Sequence, residues 1–132
     1  MKLIDKIALI HIADGRILTS RSKGKDTWYL PGGKREGNES DLETLTREIR
    51  EELSVEIKPE TAELYGVFEA QAHGKAEGLL VRMTCYTAEF AGDPIASAEI
   101  EELNRFTTAD MDRISPVDKL IFADLHEKGL LD

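Results

Sequence analysis

Positive charge is scarce in this chain. Its 17 lysines and arginines stand against 26 aspartates and glutamates, a formal net charge of −9. A surface so biased repels the phosphates of DNA or RNA, so a nucleic-acid polymer is not an expected partner. Cysteine is scarcer still. The lone Cys85 has no second thiol in the chain to pair with, and its place in the alternating run Val81, Met83, Cys85 reads as a small hydrophobe in a core. Prolines number four, and neither a low-complexity tract nor an internal repeat is visible, which excludes a disordered or solenoid chain. The apolar stretch from Met1 to Ile12 is interrupted by Asp5 and Lys6, and no small-residue cleavage site follows before Asp14-Gly15. It does not read as a secretory leader; the expected compartment is the cytoplasm, with no membrane association.

What is present suits an ordinary globular protein. At 132 residues, 41% hydrophobic and 33% charged, the whole chain (1–132) is expected to form one domain burying roughly two-thirds of its unfolded surface. Ile4 to Ile12 alternates as a strand, and Asp14-Gly15 is a hairpin signal leading into a second strand at Arg16 to Arg21. A short strand at Trp28 to Leu30 stops at Pro31-Gly32-Gly33, where glycine permits unusual backbone angles. Ser40-x-x-Glu43 has capping-box form and predicts a helix from about Asp41. Leu42, Leu45, Ile49 and Leu53 then fall on one stripe that must face a core. Further strands are expected at Ala62 to Ala70, Leu79 to Phe90 and Glu102 to Thr107, with a turn over Gly74 to Gly78. A last helix should follow Ser115-Pro116, with Ser115 as its cap, Leu120, Ile121, Ala123 and Leu125 on its apolar face, and Gly129 at its end. That order of elements favours an α/β (α+β) domain with a mixed sheet and helices packed on it.

Acidic residues are distributed unevenly. Between Glu36 and Glu63 ten acids meet only three bases. On the first helix Glu48, Glu51 and Glu52 occupy positions i, i+3 and i+4, which brings their carboxylates within an arc of about 100° beside the buried stripe. Like charges at these spacings destabilise a helix by roughly 0.2–0.5 kcal/mol per pair. Taken alone, such a run most often marks a solvated face. A hard divalent cation converts the same repulsion into binding, because Mg²⁺ and Mn²⁺ take several oxygen ligands.

The surroundings favour the second reading. Gly33, Glu39, Arg47-Glu48-Ile49-Arg50-Glu51-Glu52 and the following Leu53, Ser54 and Val55 closely resemble the Nudix box, with Leu30-Pro31-Gly32 typical of the loop before it. Six matched Gly, Glu and Arg positions coincide by chance with a probability on the order of 10⁻⁶ per start, from composition alone. The resemblance implies the Nudix fold, a mixed β-sheet sandwiched between α-helices, and metal-dependent hydrolysis of a diphosphate linkage in a nucleoside diphosphate derivative. It implies Mg²⁺, or alternatively Mn²⁺, held by Glu51, Glu52 and the Gly33 carbonyl, with Glu48 a third ligand or the general base. Arg47 orients Glu48 in that picture, and Glu39 holds the loop against the helix. By spacing alone, Arg47 equally suits a surface pairing with Glu43. One position departs from the family pattern: Ser54 replaces a glycine, and a positive φ there would strain serine by about 1 kcal/mol.

Outside the box, Glu99 to Phe106 looks like the late segment where relatives place another acid acting as base or ligand; Glu99 is the first choice and Glu102 the second. Arg105 stands where relatives often carry tryptophan. Lys34 and Arg21, with Lys23, are candidates for phosphate oxygens, Trp28 and Tyr29 for stacking on a base, and His73 for substrate contact or proton traffic. Ala70-Gln71-Ala72 supports neither an ADP-ribose nor a dinucleoside polyphosphate specificity, which leaves nucleoside triphosphates, intact or damaged, as the expected substrate. The alternative is a non-catalytic nucleotide-binding sensor, which a missing acid in the box would announce; all four glutamates are present. The partner is thus expected to be a small-molecule nucleotide, and the chain a monomer or homodimer.

Overall fold

The computed structural model describes residues 3–72, 75 and 77–132. His73 and part of the expected 74–78 turn lie outside the described residues. β1 (Leu3–Ile10) runs through the middle of a four-stranded mixed sheet. It pairs in parallel with β7 (Leu80–Thr87) and antiparallel with β4 (Gly32–Lys34), while β6 (Glu63–Gln71) closes the far side antiparallel to β7. A second, antiparallel sheet holds β2 (Ile12–Ala13), β3 (Arg16–Ser22) and β9 (Ile100–Phe106). In a third pairing β5 (Glu56–Ile57), which was not expected as strand, joins β8 (Phe90–Ala91), which is separate from β7 where one strand from Leu79 to Phe90 was expected. The two helices are α1 (Asp41–Leu53) and α2 (Pro116–Glu127).

The helices explain the burial of β1. Ile7 and Leu9 pack into a core with Leu45, Ile49 and Leu53 of α1. Ala8 and Ile10 face the other way, into a core with Val117, Ile121, Phe122 and Leu125 of α2. With both faces covered, the strand's last four residues are all buried, so the alternation read from the sequence gives way to a continuous apolar run. Cys85 is buried on the α2 side, as a hydrophobe.

Local signals mostly act as expected. Asp14 (φ 53°) and Gly15 (φ 74°) take successive positive φ values in the β2–β3 turn, the condition of a type I′ hairpin. At the start of α1, Ser40 Oγ accepts from the Glu43 amide at 3.1 Å and the Glu43 carboxylate accepts from the Ser40 amide at 2.8 Å, which completes the capping box. Trp28 to Leu30 makes only isolated bridges, Tyr29 to Ser20 and Trp28 to Ile114. In α2 two expectations are corrected. Ile121 and Leu125 are buried as expected, but Leu120 and Ala123 are exposed, and Val117, Asp118 and Phe122 complete the buried stripe. Ser115 sits at the N-cap, but its hydroxyl donates to the Asp118 carboxylate (2.7 Å) and caps no amide.

Ser54 ends α1 in the left-handed region, with φ 56° and ψ 33°. Its hydroxyl lies 2.7 Å from that of Ser97. Left-handed geometry costs a non-glycine residue about 1 kcal/mol, and an exposed neutral hydrogen bond returns about 0.5 kcal/mol. Strain is the larger effect. Denaturant titration of Ser54→Gly is expected to show a gain of about 0.5 kcal/mol; a loss of that size would mean that the hydroxyl contact outweighs the backbone.

Candidate active site

Helical geometry grades the three glutamates. At about 100° per residue, Glu52 falls about 20° outside Leu45 at the edge of the apolar stripe, Glu48 about 40° farther out and Glu51 about 60° beyond that. Glu52 is accordingly buried, with 7% of its surface exposed, while the Glu48 side chain is 14% exposed and that of Glu51 54%. The Gly32 amide donates to Glu52 Oε1 at 2.9 Å. Burial nevertheless pushes the Glu52 carboxyl up to about 8, the amide bond opposing it and the Glu48 and Glu99 charges adding to it. Glu48 is also raised, first by burial, against the pull of Arg47.

Two of the three β4 residues are glycines, and both stand in close contact with their neighbours. A Cβ on Gly32, whose φ is 148°, would strike the Ile7 carbonyl, and one on Gly33 would overlap the Glu48 carboxyl group. Glycine at 32 is a steric requirement, because the obstacle is backbone, whereas a side chain at 33 would displace the Glu48 carboxylate.

Arg47 ties loop and helix together. Its guanidinium donates to Glu39 at 2.7 and 2.9 Å, to Glu48 Oε1 at 2.8 Å and to the Lys34 carbonyl at 3.0 Å. Glu39 in turn accepts from the Glu36 amide and the Thr44 hydroxyl, each at 3.0 Å. The Arg47 bonds, foremost, hold the Glu39 carboxyl down at about 2. Glu43 is engaged in the cap, so the surface pairing that spacing alone allowed is not the one formed.

Glu48 and Glu52 open into a cleft of about 390 Å³, across which stand Glu99, Lys34, Lys6 and Tyr29. Lys6 and Lys34 are opposed across the β1–β4 pair, and the Lys6 ammonium is lowered from its usual value, mainly by burial. Lys6, Tyr29 and Met83 also border a smaller chamber of about 110 Å³, closed by Ser115, Pro116 and Val117. Next to that wall is Asp118, which is fully buried. The Ser115 hydroxyl, the Leu30 amide and the Lys6 charge favour its ionised form, yet burial outweighs them and raises it to about 6. Among the described residues, nothing hydrogen-bonds to its Oδ1. Sequence reading missed Lys6 and Asp118. Their signals were a lysine inside an otherwise apolar strand, and an acid at helical spacing from Ile121, Phe122 and Leu125.

Other residues singled out by sequence lie elsewhere. Trp28 is in the core, 5.0 Å from the Phe106 ring and 4% exposed. Arg21 alternates with the cleft-lining Ser20 and Ser22 on β3, so it points away and pairs with Glu102 at 2.7 Å. Arg105 binds the His11 carbonyl and ring nitrogen, both at 3.1 Å. Thus Glu48, Glu52, Glu99, Gly33 and Lys34 are brought together, and Arg21, Glu102 and Trp28 are not.

Among the described residues no group of three or more His, Cys, Asp or Glu side chains converges closely enough to hold a metal ion as it stands. Glu51 is half exposed with its carboxylate 3.7 Å from the Arg47 guanidinium, and Glu99 lines the cleft. The donor chemistry still fits a hard divalent cation: two half-buried to buried carboxylates whose charged forms are disfavoured gain most from one.

This architecture, two helices on a mixed sheet with a carboxylate-lined cleft beside a glycine-rich strand, defines an α/β class with an acidic site. Residues 5–125 match the NUDIX domain model, and the chain belongs to that family. It is 50% identical over 42 residues to an RNA pyrophosphohydrolase of Halorhodospira halophila, covering 32% of this chain and 23% of that protein. It is 40% identical over 60 residues to the CTP pyrophosphohydrolase of Escherichia coli K12, covering 42% and 44%. These matches span less than half the length of either relative. The crystal structure of a MutT NUDIX hydrolase from Burkholderia pseudomallei superposes with a TM-score of 0.71 at 27% identity, covering 94% of this chain and 98% of that one. No helix among the described residues is long and apolar enough to cross a membrane.

The Arg47–Glu39 bonds carry a pH signature. Glu39 ionises at about 2 in the folded chain against 4.5 ordinarily, so its contribution is complete above 4.5 and disappears as pH falls towards 2. Denaturation curves across that window should fall less steeply with acid for Glu39→Gln than for the parent. Parallel slopes would remove Glu39 as a source of acid lability.

Proposed function

We propose that this chain is a divalent-metal-dependent pyrophosphohydrolase acting on a small nucleotide, with a nucleoside triphosphate, intact or damaged, as its substrate. The observation that carries the reading is the burial of Glu48 and Glu52 together, their charged forms held in a cleft at a cost that a cation removes. Family membership supports it, since NUDIX proteins typically use such ions.

Glu52, Glu48, Glu51 and the Gly33 carbonyl would hold the cation. When bound, the ion supplies Lewis-acid charge that neutralises the diphosphate. Arg47 fixes the rotamer of Glu48. Lys34 meets phosphate oxygens at the cleft wall. Glu99 accepts the proton of the attacking water, whose oxygen bonds to phosphorus as the bridging P–O bond breaks. The nucleoside lies over Tyr29 and Lys6, and a base N–H reaching past the Ser115–Val117 wall donates to Asp118 Oδ1, which is buried behind that wall with no hydrogen bond among the described residues. The identity to an RNA pyrophosphohydrolase brings triphosphorylated RNA ends into consideration, but a net charge of −9 opposes a long polyanion.

Phosphate release from a panel of nucleoside triphosphates and a triphosphorylated RNA, with and without Mg²⁺, tests the reading. Metal-dependent release is expected from the free nucleotides. Binding without release favours the sensor, and faster release from RNA overturns the choice of substrate. Glu52→Gln should abolish metal-dependent turnover with an unchanged circular dichroism spectrum, and Glu99→Gln should lower kcat by about 10²–10⁴. Full activity in Glu52→Gln contradicts the assignment. Asp118→Asn should lower kcat/KM for the preferred base by about 10–100-fold, the worth of a hydrogen bond to a charged group, and reorder the base ranking; an unaltered ranking places the base elsewhere.

A further inference from the structure

The segment leading to Glu99 is fastened to the end of α1. The Ile95 amide donates to the Leu53 carbonyl at 2.8 Å and the Ser97 amide to that of Glu52 at 2.9 Å, so the segment satisfies carbonyls that a helix end leaves open. Glu52 therefore holds, through its backbone, the residue two positions before Glu99. On the other side the Glu99 carbonyl accepts from the Lys23 amide at 2.8 Å, and Ala98 takes a positive φ of 54°. The direction of the Glu99 side chain thus depends on how residues 95–99 seat against the helix.

One further contact sets that seating. Ser97 Oγ lies 3.0 Å from the Ile95 carbonyl, to which it donates; its lone pairs are then open to the Ser54 hydroxyl at 2.7 Å. The two hydroxyls form a relay running from helix end to loop. Ser54 occupies a backbone conformation that glycine adopts without strain, and beyond its Cβ the hydroxyl is all it adds there. Among the described residues, the hydrogen bond that its side chain makes is the one to Ser97.

We propose that Ser54 is a positioning residue, acting through Ser97 to aim the Glu99 carboxylate across the cleft at the phosphorus-attacking water. The inference rests on the reading of Glu99 as proton acceptor. Small misplacements of a catalytic group are costly in rate, and the loss of one hydroxyl contact should cost about three- to tenfold.

The test is steady-state kinetics with Mg²⁺ and the best nucleoside triphosphate of the panel, alongside thermal melts. Ser54→Gly and Ser97→Ala are each expected to lower kcat about three- to tenfold with KM within about twofold, although Ser54→Gly melts no lower than the parent. Ser97→Thr, which keeps the hydroxyl, should restore kcat. The double variant Ser54→Gly/Ser97→Ala should be no slower than the slower single one, and neither change should slow Glu99→Gln further. Unchanged kcat in Ser54→Gly overturns the proposal, as do additive losses or a loss that persists in the Glu99→Gln background. Wild-type kcat in Glu99→Gln alone removes the reading of Glu99 itself, a failure visible without either serine variant.

Discussion

A carboxylate set against the apolar stripe of a helix is the constraint on which the rest of this structure depends. Glu52 is buried at the edge of that stripe, next to Leu45, and among the described residues its carboxylate accepts a hydrogen bond from the Gly32 amide. Leucine or methionine there would pack without that charge. Everything nearby answers to the choice. β4 must approach closely enough for an amide to reach the carboxylate, so it carries two glycines where any side chain would collide with Ile7 or Glu48. The segment after β8 must return to the helix end, where it ties Glu99 to the same turn.

Arg47 does the complementary work. It is on the same helix, but its bonds run outward to the loop, to Glu39 and the Lys34 carbonyl, and sideways to Glu48. A planar guanidinium with five donors satisfies these acceptors at once, which a lysine ammonium cannot do with fixed geometry. The loop and the carboxylate are thereby oriented by one side chain. Charge that would otherwise push the acids of the segment apart is compensated where it is densest.

Legibility in the sequence followed the range of the forces involved. The hairpin at Asp14-Gly15, the capping box at Ser40 and the stripe of α1 depend on neighbours within a few residues, and they stand as read. The spacing of the box located Gly33, Glu39, Arg47, Glu48 and Glu52 together, since helix geometry and one loop suffice to assemble them. What was lost depends on contacts between distant segments. β5 and β8 are two residues each and exist only as partners. Trp28 looks like a stacking surface until Phe106 arrives beneath it. Arg21 is one residue out of phase with the cleft, which strand pairing with β9 decides. Glu51 shares an arc with Glu48 and Glu52, but where that arc crosses from core to solvent is set by the sheet below. Asp118 and Lys6 belong to elements more than a hundred residues apart, and no local pattern joins them.

The opposed lysines on β1 and β4 have a consequence of their own. Like charges facing each other across two strands strain the pair, just as the acids strain the helix beside it. The folded chain therefore carries two rows of opposite sign, each repelling itself and offset by the other only in part, since burial still lowers the Lys6 ammonium and raises the Glu52 carboxyl. A ligand that brings anionic and cationic parts together relieves both at once, so its two halves should bind more tightly as a salt than either does separately, and each should raise the affinity for the other to an equal degree.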